Sequence, residues 1–244
     1  GDVVLASGST LSVTGTNTLN VTGIWTNNGG TFIPGSGTVT FSSNVARTIG
    51  GTAASQTFNN LTINKTGGGT LSVAGNTTSL TINGTITLSA GTFSAGTAIM
   101  IYLAGNWTNN GGVFTGGIGG VNLNGTSQTI GGNTSTTFNI LTILNNSSTT
   151  LAINTNAANV VVSNGIFTIG NDNTDRSLTV TGKLTVASSG TLRTAGNGGN
   201  VVNVAGDLEN NGVFDLNIGA ATAGLSFNGN ANQTVYGTGT TTDV

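Results

Sequence analysis

Short triplets in which two apolar residues flank one polar residue recur along the whole chain. Examples are Leu19-Asn-Val21, Val39-Thr-Phe41, Leu80-Thr-Ile82 and Val202-Asn-Val204, and the middle residue is most often Thr, Ser or Asn. Alternation with a period of two is typical of a β-strand with one side facing a core and the other facing water. Turns rich in Gly and Asn, such as residues 27–30, separate the triplets and supply the positive φ angles of tight corners. Since no window keeps the 3.6-residue period of a helix, the pattern predicts an all-β fold.

A longer repeat is superimposed on the triplets. Residues 23–32 (GIWTNNGGTF) return 82 residues later as residues 105–114 (GNWTNNGGVF), and a degraded copy occupies residues 206–214 (GDLENNGVF). The similarity continues beyond these copies through TIGG and FN-x-LTI segments. A repeat of this length is the signature of an array of stacked units.

Short strands and frequent corners together favour a parallel β-solenoid, or β-helix, of roughly 12 turns with about 20 residues per turn. A sandwich or barrel would have longer strands and no long repeat kept in register, and a propeller blade would span about 40–50 residues. We therefore predict a single solenoid array over residues 1–244. Its internal units lie at about 23–104, 105–205 and 206–244, the last being partial, and the second contains an inserted turn near 178–196.

Stacking of equivalent residues predicts core columns built from large apolar side chains. The four predicted columns are Trp25, Trp107 and Leu208; Phe32, Phe114 and Phe214; Phe41, Leu123 and Phe227; and Phe58 with Phe138. We interpret these side chains as core packing rather than as platforms for a ligand.

Each repeated Asn pair is predicted to lie in a corner of the coil. These residues are Asn27, Asn28, Asn109, Asn110, Asn210 and Asn211. Asn side chains stacked on adjacent turns can hydrogen-bond to the residues above and below them, as in cross-β ladders. Contact with carbohydrate is the alternative role for the same side chains.

Composition narrows the range of functions. Charged residues make up 5% of the chain, the net charge is −2, and there is no His and no Cys. Most acid–base, thiol and His/Cys metal chemistry is therefore excluded, and there is no electrostatic basis for binding nucleic acid or anionic lipid. The longest apolar stretch, residues 98–104, is far shorter than the roughly 20 residues that span a bilayer. We expect no catalytic residue, no cofactor, no nucleic-acid partner and no membrane insertion.

Acidic residues are concentrated late in the chain. The segment GNDNTD contains Asp172 and Asp175, whose oxygens are of the type that Ca²⁺ accepts, but it lacks the spacing of an EF-hand and we interpret it as a solvated turn. Asp207 and Glu209 flank a Leu in a strand. We expect them to project separately, and not to converge to the roughly 5–10 Å of a glycosidase pair.

Thr pairs raise ice binding as a further hypothesis, because a flat array of such pairs on consecutive turns is what that function requires. The pairs are Thr38 and Thr40, Thr85 and Thr87, and Thr179 and Thr181. In the sequence the pattern is not maintained from one predicted turn to the next. It therefore does not favour this function.

The motifs G-x-W-T-N-N-G-G-x-F, x-T-I-G-G and F-N-x-L-T-I resemble the repeats of large bacterial surface and secreted β-solenoid proteins, similar in general plan to filamentous haemagglutinin and autotransporter passengers. This resemblance implies an extracellular, bacterial protein that acts as an adhesin, stalk or fibre subunit. No segment matches the catalytic motifs of the glycan-cleaving enzymes that share the solenoid plan.

The ends of the sequence suggest how such a unit is used. A solenoid end presents unpaired backbone groups that polar caps usually cover, yet residues 3–11 resemble residues 85–93 and the chain stops at a phase occupied earlier by Phe58 and Phe138. Copies could therefore continue one another head to tail and give a filament. An excerpt from a longer solenoid explains the same ends.

Our hypothesis is a structural, non-enzymatic solenoid that forms or extends a bacterial surface fibre. Its partner would be another copy of itself or the rest of a longer chain. The alternative is a carbohydrate- or surface-binding adhesin module with surface glycans as its partner.

Overall fold

The computed structural model describes residues 1–216 and 223–242. The described chain contains no helix, and its parallel stacked strands form a β-solenoid of about 10 turns with roughly 22 residues per turn. The predicted fold class is confirmed, but the turns are longer and fewer than predicted. Residues paired on adjacent turns are separated by as few as 18 positions (Ser148 and Ile166) and as many as 27 (Leu208 and Val235), because the corners vary in length.

The chain divides into two compact units, Gly1–Gly120 and Val121–Val244, called here unit 1 and unit 2. The strands up to the boundary are β1 (Val3–Leu5), β2 (Thr10–Ser12), β3 (Thr18–Val21), β4 (Trp25–Asn27), β5 (Thr31–Ile33), β6 (Thr38–Phe41), β7 (Arg47–Gly51), β8 (Ser55–Phe58), β9 (Asn60–Asn64), β10 (Thr70–Val73), β11 (Ser79–Ile82), β12 (Ile86–Ala90), β13 (Thr92–Ser94), β14 (Met100–Leu103), β15 (Trp107–Asn109) and β16 (Val113–Thr115).

The strands from the boundary onward include three long ones that bend around corners. They are β17 (Gly120–Leu123), β18 (Gln128–Gly132), β19 (Thr136–Leu151), β20 (Thr155–Ile169), β21 (Ser177–Val180), β22 (Leu184–Thr194), β23 (Val201–Val204), β24 (Leu208–Asn210), β25 (Val213–Asp215), β26 (Gly224–Phe227), β27 (Val235–Tyr236) and β28 (Thr240–Thr242).

Unit 1 has three strands per turn, and strands of successive turns stack in parallel. The Trp25 stack contains β1, β4, β7, β10, β13 and β16. The Trp107 stack contains β3, β6, β9, β12 and β15. The Phe58 stack contains β8, β11 and β14, and β2 pairs with β5.

Inward positions of these stacks form continuous apolar columns. One column of the Trp107 stack consists of four buried residues, Val39, Leu61, Ile86 and Trp107. The residue that follows each of them in its strand is half-exposed. This alternation confirms that one side of each strand faces the core. Truncating a fully buried member such as Leu61 to Ala would cost about 2–5 kcal/mol.

Unit 2 also has three stacks, although its long strands cross from one to the next. β19 pairs along nearly its whole length with β20, and register shifts at Ile143 and Leu144 mark where both turn a corner. β20 then pairs with β21 and with β22, and these pair with β23, β24 and β25. β26, β27 and β28 add to those three strands.

The predicted column that joins the two tryptophans is wrong. Trp25 pairs with Ile49 in the Trp25 stack, whereas Trp107 pairs with Ile86 in the Trp107 stack. Both side chains are buried, so each is core, but the two lie on different sides of the coil.

The predicted phenylalanine columns also change. Phe32 pairs with Leu11, whereas Phe114 pairs with Phe93 in the Trp25 stack, so these two do not share a column.

In unit 2, one column runs through residues predicted to lie in separate columns. Phe138, Ala157, Val180, Val204 and Phe227 follow one another in register. Five other predicted members are buried within their own strands; they are Phe41, Phe58, Leu123, Leu208 and Phe214. Phe32 is half-exposed, and the prediction of core packing is wrong for Phe227, which is exposed because no described strand covers it.

The reason for these corrections is the number of strands in a turn. The 82-residue repeat moves the motif by 11 strands, from β4 to β15, whereas one turn of unit 1 has three. The repeat therefore does not close on whole turns, and the copy falls on another side of the coil. Because inward positions are predominantly apolar in the stacks of unit 1, the motif can pack in either place.

Candidate functional site

The repeated Trp–Phe motif forms the same aromatic contact in both copies. The Trp25 and Phe32 ring centroids lie 4.8 Å apart at 77°, and those of Trp107 and Phe114 lie 4.8 Å apart at 71°. Edge-on pairs of this kind add to the energy of simple burial. The motif thus keeps its local packing although its copies lie in different stacks. Three of its four rings are buried, and Phe32 is half-exposed.

The first Asn of each repeated pair is buried and stabilises its own corner. Asn27 Oδ1 accepts hydrogen bonds at 3.0 Å from the backbone N–H groups two and three residues ahead. Asn109 does the same at 3.2 and 2.9 Å, and Asn210 accepts from the N–H two residues ahead at 3.1 Å. Asn27 pairs in register with Leu5 and Gly51, so it does not belong to the predicted ladder of stacked Asn side chains.

The second Asn of each pair points outward. Asn28 and Asn110 are exposed, and Asn211 is half-exposed. The Asn28 side chain accepts a hydrogen bond from the Thr52 N–H of the next turn at 3.2 Å, and the Asn211 side chain accepts from the Thr238 N–H at 3.1 Å. These bonds link adjacent turns of each unit.

Two glycines allow the backbone of one turn to approach the capped corner of the turn before it. Gly51 has a φ of 117°, and a Cβ atom there would overlap the carbonyl oxygen of Asn27. Gly237 has a φ of 129°, and its Cβ would overlap the carbonyl oxygen of Asn210. The second Gly of the TIGG motif, Gly51, is therefore required both by the close contact between turns and by its positive φ.

A buried glutamine that sequence reasoning missed organises the core beside Trp25. Gln56 Oε1 accepts from Trp25 Nε1 at 3.3 Å and from Asn27 Nδ2 at 3.2 Å, while its Nε2 donates to Thr77 Oγ1 at 3.2 Å. Burial of these polar groups is tolerated because each is hydrogen-bonded. The signal was present in the sequence, since Gln-Thr recurs at Gln128 and Gln233.

Lys65 is the second residue that sequence reasoning missed. It follows β9 with the inward parity of Leu61 and Ile63, and its side chain is fully buried. Its Nζ has no hydrogen-bond partner among the described residues. Burial, and secondarily the positive charge of Arg47, lower the pKa of the Lys65 ammonium from its ordinary value.

The calcium candidates are engaged by protein groups. Asp172 Oδ2 forms an ion pair with Arg176 at 3.1 Å, and its Oδ1 accepts from the Thr174 N–H at 2.9 Å. Asp175 Oδ1 accepts from the Gly199 N–H of the next turn at 2.5 Å. The two carboxylates thus hold a loop and its neighbour, and nothing in this geometry brings them together as ligands.

Asp207 and Glu209 serve different partners. Asp207 Oδ1 accepts from the Thr234 N–H at 2.8 Å, whereas Glu209 lies 2.6 Å from Lys183 Nζ. The hydrogen bond from Lys183 is the main cause that lowers the pKa of Glu209, and the same bond raises the pKa of Lys183. Lys183 also lies over the Tyr236 ring, 5.4 Å from its centroid.

Residues 1–216 and 223–242 contain no group of three or more His, Cys, Asp or Glu side chains placed to hold a metal ion. In the same part of the chain, no helix has the length and apolar character needed to cross a membrane. The polar side chains described above form hydrogen bonds mainly with backbone groups of their own or an adjacent turn.

No protein-family model, curated protein or solved structure matches this chain.

Proposed function

We propose that the protein is a structural, non-enzymatic component of a bacterial surface fibre that extends by head-to-tail stacking of copies. The extracellular, bacterial setting rests on the resemblance of its repeats to those of surface solenoid proteins. The stacking rests on the outermost described strands, which offer both hydrogen-bonding edges and apolar side chains to a further turn.

The outermost strands pair on one edge within the described chain. β1 and β3 pair with β4 and β6, and β26 pairs with β23. The opposite edge of each carries backbone N–H and C=O groups that template another strand. A further parallel turn would continue the same ladder.

Apolar side chains on these outer turns are uncovered, and this observation carries the proposal. Val204 is fully buried, but Phe227, the next residue of its column, is 41% exposed; Leu208 is buried, but Val235 above it is 59% exposed. In β3, an outermost strand of unit 1, Leu19 is half-exposed whereas its partner Val39 is buried. Burying such a side chain completely is worth about 1.5–3 kcal/mol, so covering the part that is still exposed contributes roughly half of this.

The proposed occupant is a turn from a second copy of this chain. Few charges oppose such a contact, since unit 1 carries three charged residues, Asp2, Arg47 and Lys65. The contact is heterologous, because the outermost strands of unit 1 in one copy would meet the outermost strands of unit 2 in another. Such contacts generate filaments when they do not close into a ring.

The test compares Val235→Asp with Val113→Asp by light scattering and negative-stain imaging over a range of protein concentrations. Both valines are 59% exposed, but Val113 lies in β16 outside the outermost strands. Wild type and Val113→Asp should form filaments that lengthen with concentration, while Val235→Asp should remain as short particles. Monodisperse wild-type particles at high concentration would show that the partner is not a second copy.

The adhesin alternative remains a prediction. Aromatic rings that stack on sugars are commonly exposed. Trp25 and Trp107 are buried, whereas Tyr236 is exposed and has Lys183 over its ring. Retention of the protein on a glycan array, lost on Tyr236→Ala substitution, would favour this alternative.

A further inference from the structure

Unit 1 carries an unbroken outward column of threonines that the sequence register hides. Thr40, Thr62, Thr87 and Thr108 pair in register on the four successive strands β6, β9, β12 and β15 of the Trp107 stack. As expected from the sequence, Thr pairs are not maintained from turn to turn, since the position two residues before each column threonine alternates between Thr and Asn. The single column is not evident in the sequence because the intervals between its members vary with corner length.

A second polar row runs beside this column. The residues two positions earlier in the same four segments are Thr38, Asn60, Thr85 and Asn106. Within this row, Asn60 Oδ1 accepts a hydrogen bond from the Thr85 N–H at 2.8 Å and so links two adjacent turns. The Trp107 stack therefore has two polar positions on each of four consecutive turns, and the column of four threonines is the part whose side chains are not engaged. We call this set of eight residues the threonine face.

The threonine face repeats regularly in two directions. Adjacent strands of a sheet lie roughly 4.8 Å apart, and residues two positions apart along a strand lie roughly 6.6 Å apart. The register of Thr40, Thr62, Thr87 and Thr108 is continuous, and the shift recorded in β12 comes only after Leu88. Thr is stiff at χ1 because it is β-branched, so its methyl and hydroxyl groups form a preorganised array.

The four column hydroxyls are free to bind outward. All four threonines are half-exposed, and their hydroxyls form no hydrogen bond with another described residue. None of the eight residues is charged or aromatic. A neutral array lacking aromatic platforms matches neither a charged polymer nor a sugar ring.

We propose that the threonine face binds ice. The ligand is a crystal of water, whose faces present neutral rows of oxygen atoms that repeat regularly in two directions. The hydroxyls would hydrogen-bond to lattice water while the methyl groups lie between its rows. Because the array is rigid before binding, little conformational entropy is lost on contact. This activity does not depend on fibre formation.

The experiment measures thermal hysteresis and ice recrystallisation in wild type, Thr62→Tyr, Thr87→Tyr and the control Thr81→Tyr. Thr81 is a half-exposed outward residue of β11 in the Phe58 stack, paired with Thr57 and Tyr102, so the control places the same bulk on a different face. Near-wild-type tryptophan emission would establish that each variant folds, since Trp107 lies beneath the threonine face.

The expected result is activity in wild type and in Thr81→Tyr, and loss of activity in Thr62→Tyr and Thr87→Tyr. Absence of both activities in folded wild type would overturn the proposal. Equal loss in Thr81→Tyr and Thr62→Tyr would overturn it as well, because binding would then not belong to the threonine face.

Discussion

Substituting Lys65 with Met should stabilise unit 1, because it removes a buried ammonium group that has no partner. The Lys65 side chain is fully buried and its Nζ forms no hydrogen bond within the described chain. Its backbone is fixed, since its N–H donates to Ala90 O at 3.0 Å and its C=O accepts from Gly68 N at 2.9 Å. Met has a similar length and keeps the aliphatic packing of the lysine stem.

The size of the effect follows from the cost of burying an unsatisfied polar group. Protein substitutions place this cost at about 1–3 kcal/mol. With a urea dependence of about 1–3 kcal/mol per molar for small proteins, the midpoint of unfolding should rise by roughly 1 M. A gain of this size in the free energy of unfolding is large, because domains are only marginally stable.

The assay is urea unfolding followed by tryptophan fluorescence. The chain has two tryptophans, Trp25 and Trp107, and both are buried in unit 1 with Lys65. The signal therefore reports the unit that is changed. Lys183→Met is the matched control, because Lys183 lies in unit 2, where no tryptophan lies, and its side chain is 42% exposed. The fluorescence midpoint of this variant should equal that of wild type.

The pH dependence supplies a second check. An unfolded lysine titrates near pH 10.4, and the folded pKa of Lys65 is lower. Between these two values the unfolded chain binds more protons than the folded chain, so the stability of unit 1 rises with pH. Below the folded pKa the full penalty is present. The advantage of Lys65→Met is thus largest below the folded pKa and shrinks as the pH rises toward 10.

The reasoning would be refuted by an unchanged or lowered midpoint for Lys65→Met at neutral pH. It would also fail if the difference between the variant and wild type stayed constant from pH 7 to pH 10. In that case the gain would come from packing and not from the ammonium group.

Further predictions concern the corners. Asn27→Ala removes three hydrogen bonds and should lower the stability of unit 1 by about 1–3 kcal/mol, whereas Asn28→Ala, which removes one exposed bond, should cost about 0.5–1 kcal/mol in the same assay; equal losses would contradict the assigned roles. Gly51→Ala should cost roughly 3 kcal/mol or more, because strain and overlap with the preceding turn add together. Gly68 has a φ of 77° and open space where a Cβ would lie, so Gly68→Ala should cost about 1–2 kcal/mol. A lower urea midpoint for Gly68→Ala than for Gly51→Ala would contradict this account.

Much of the fold was predictable because its signals are local. Alternation in segments such as Val39-Thr-Phe41 decides which side chains face inward, since successive side chains of a strand point to opposite sides. Gly and Asn in residues 27–30 decide where the chain turns. These rules act within a few residues, and they are sufficient to establish an all-β solenoid and the burial of Trp25.

The composition of each column was decided by tertiary structure. Which residue lies above Trp25 depends on the summed lengths of three corners, and paired residues of the described chain are 18 to 27 positions apart. An error of one corner moves a residue to another stack, as happened with Trp107. The same summation hid the column that contains Thr62 and Thr87.

The sequence by itself determined that this chain alternates, turns and repeats, because those properties depend on side-chain direction and backbone freedom over short distances. Tertiary structure alone decided which residues of successive turns contact one another. It buried the unpartnered ammonium of Lys65, surrounded Gln56 with hydrogen-bond partners, and aligned four threonines on one face. Each of these outcomes depends on closing three strands into a turn, which is a property of the whole coil and not of any one segment.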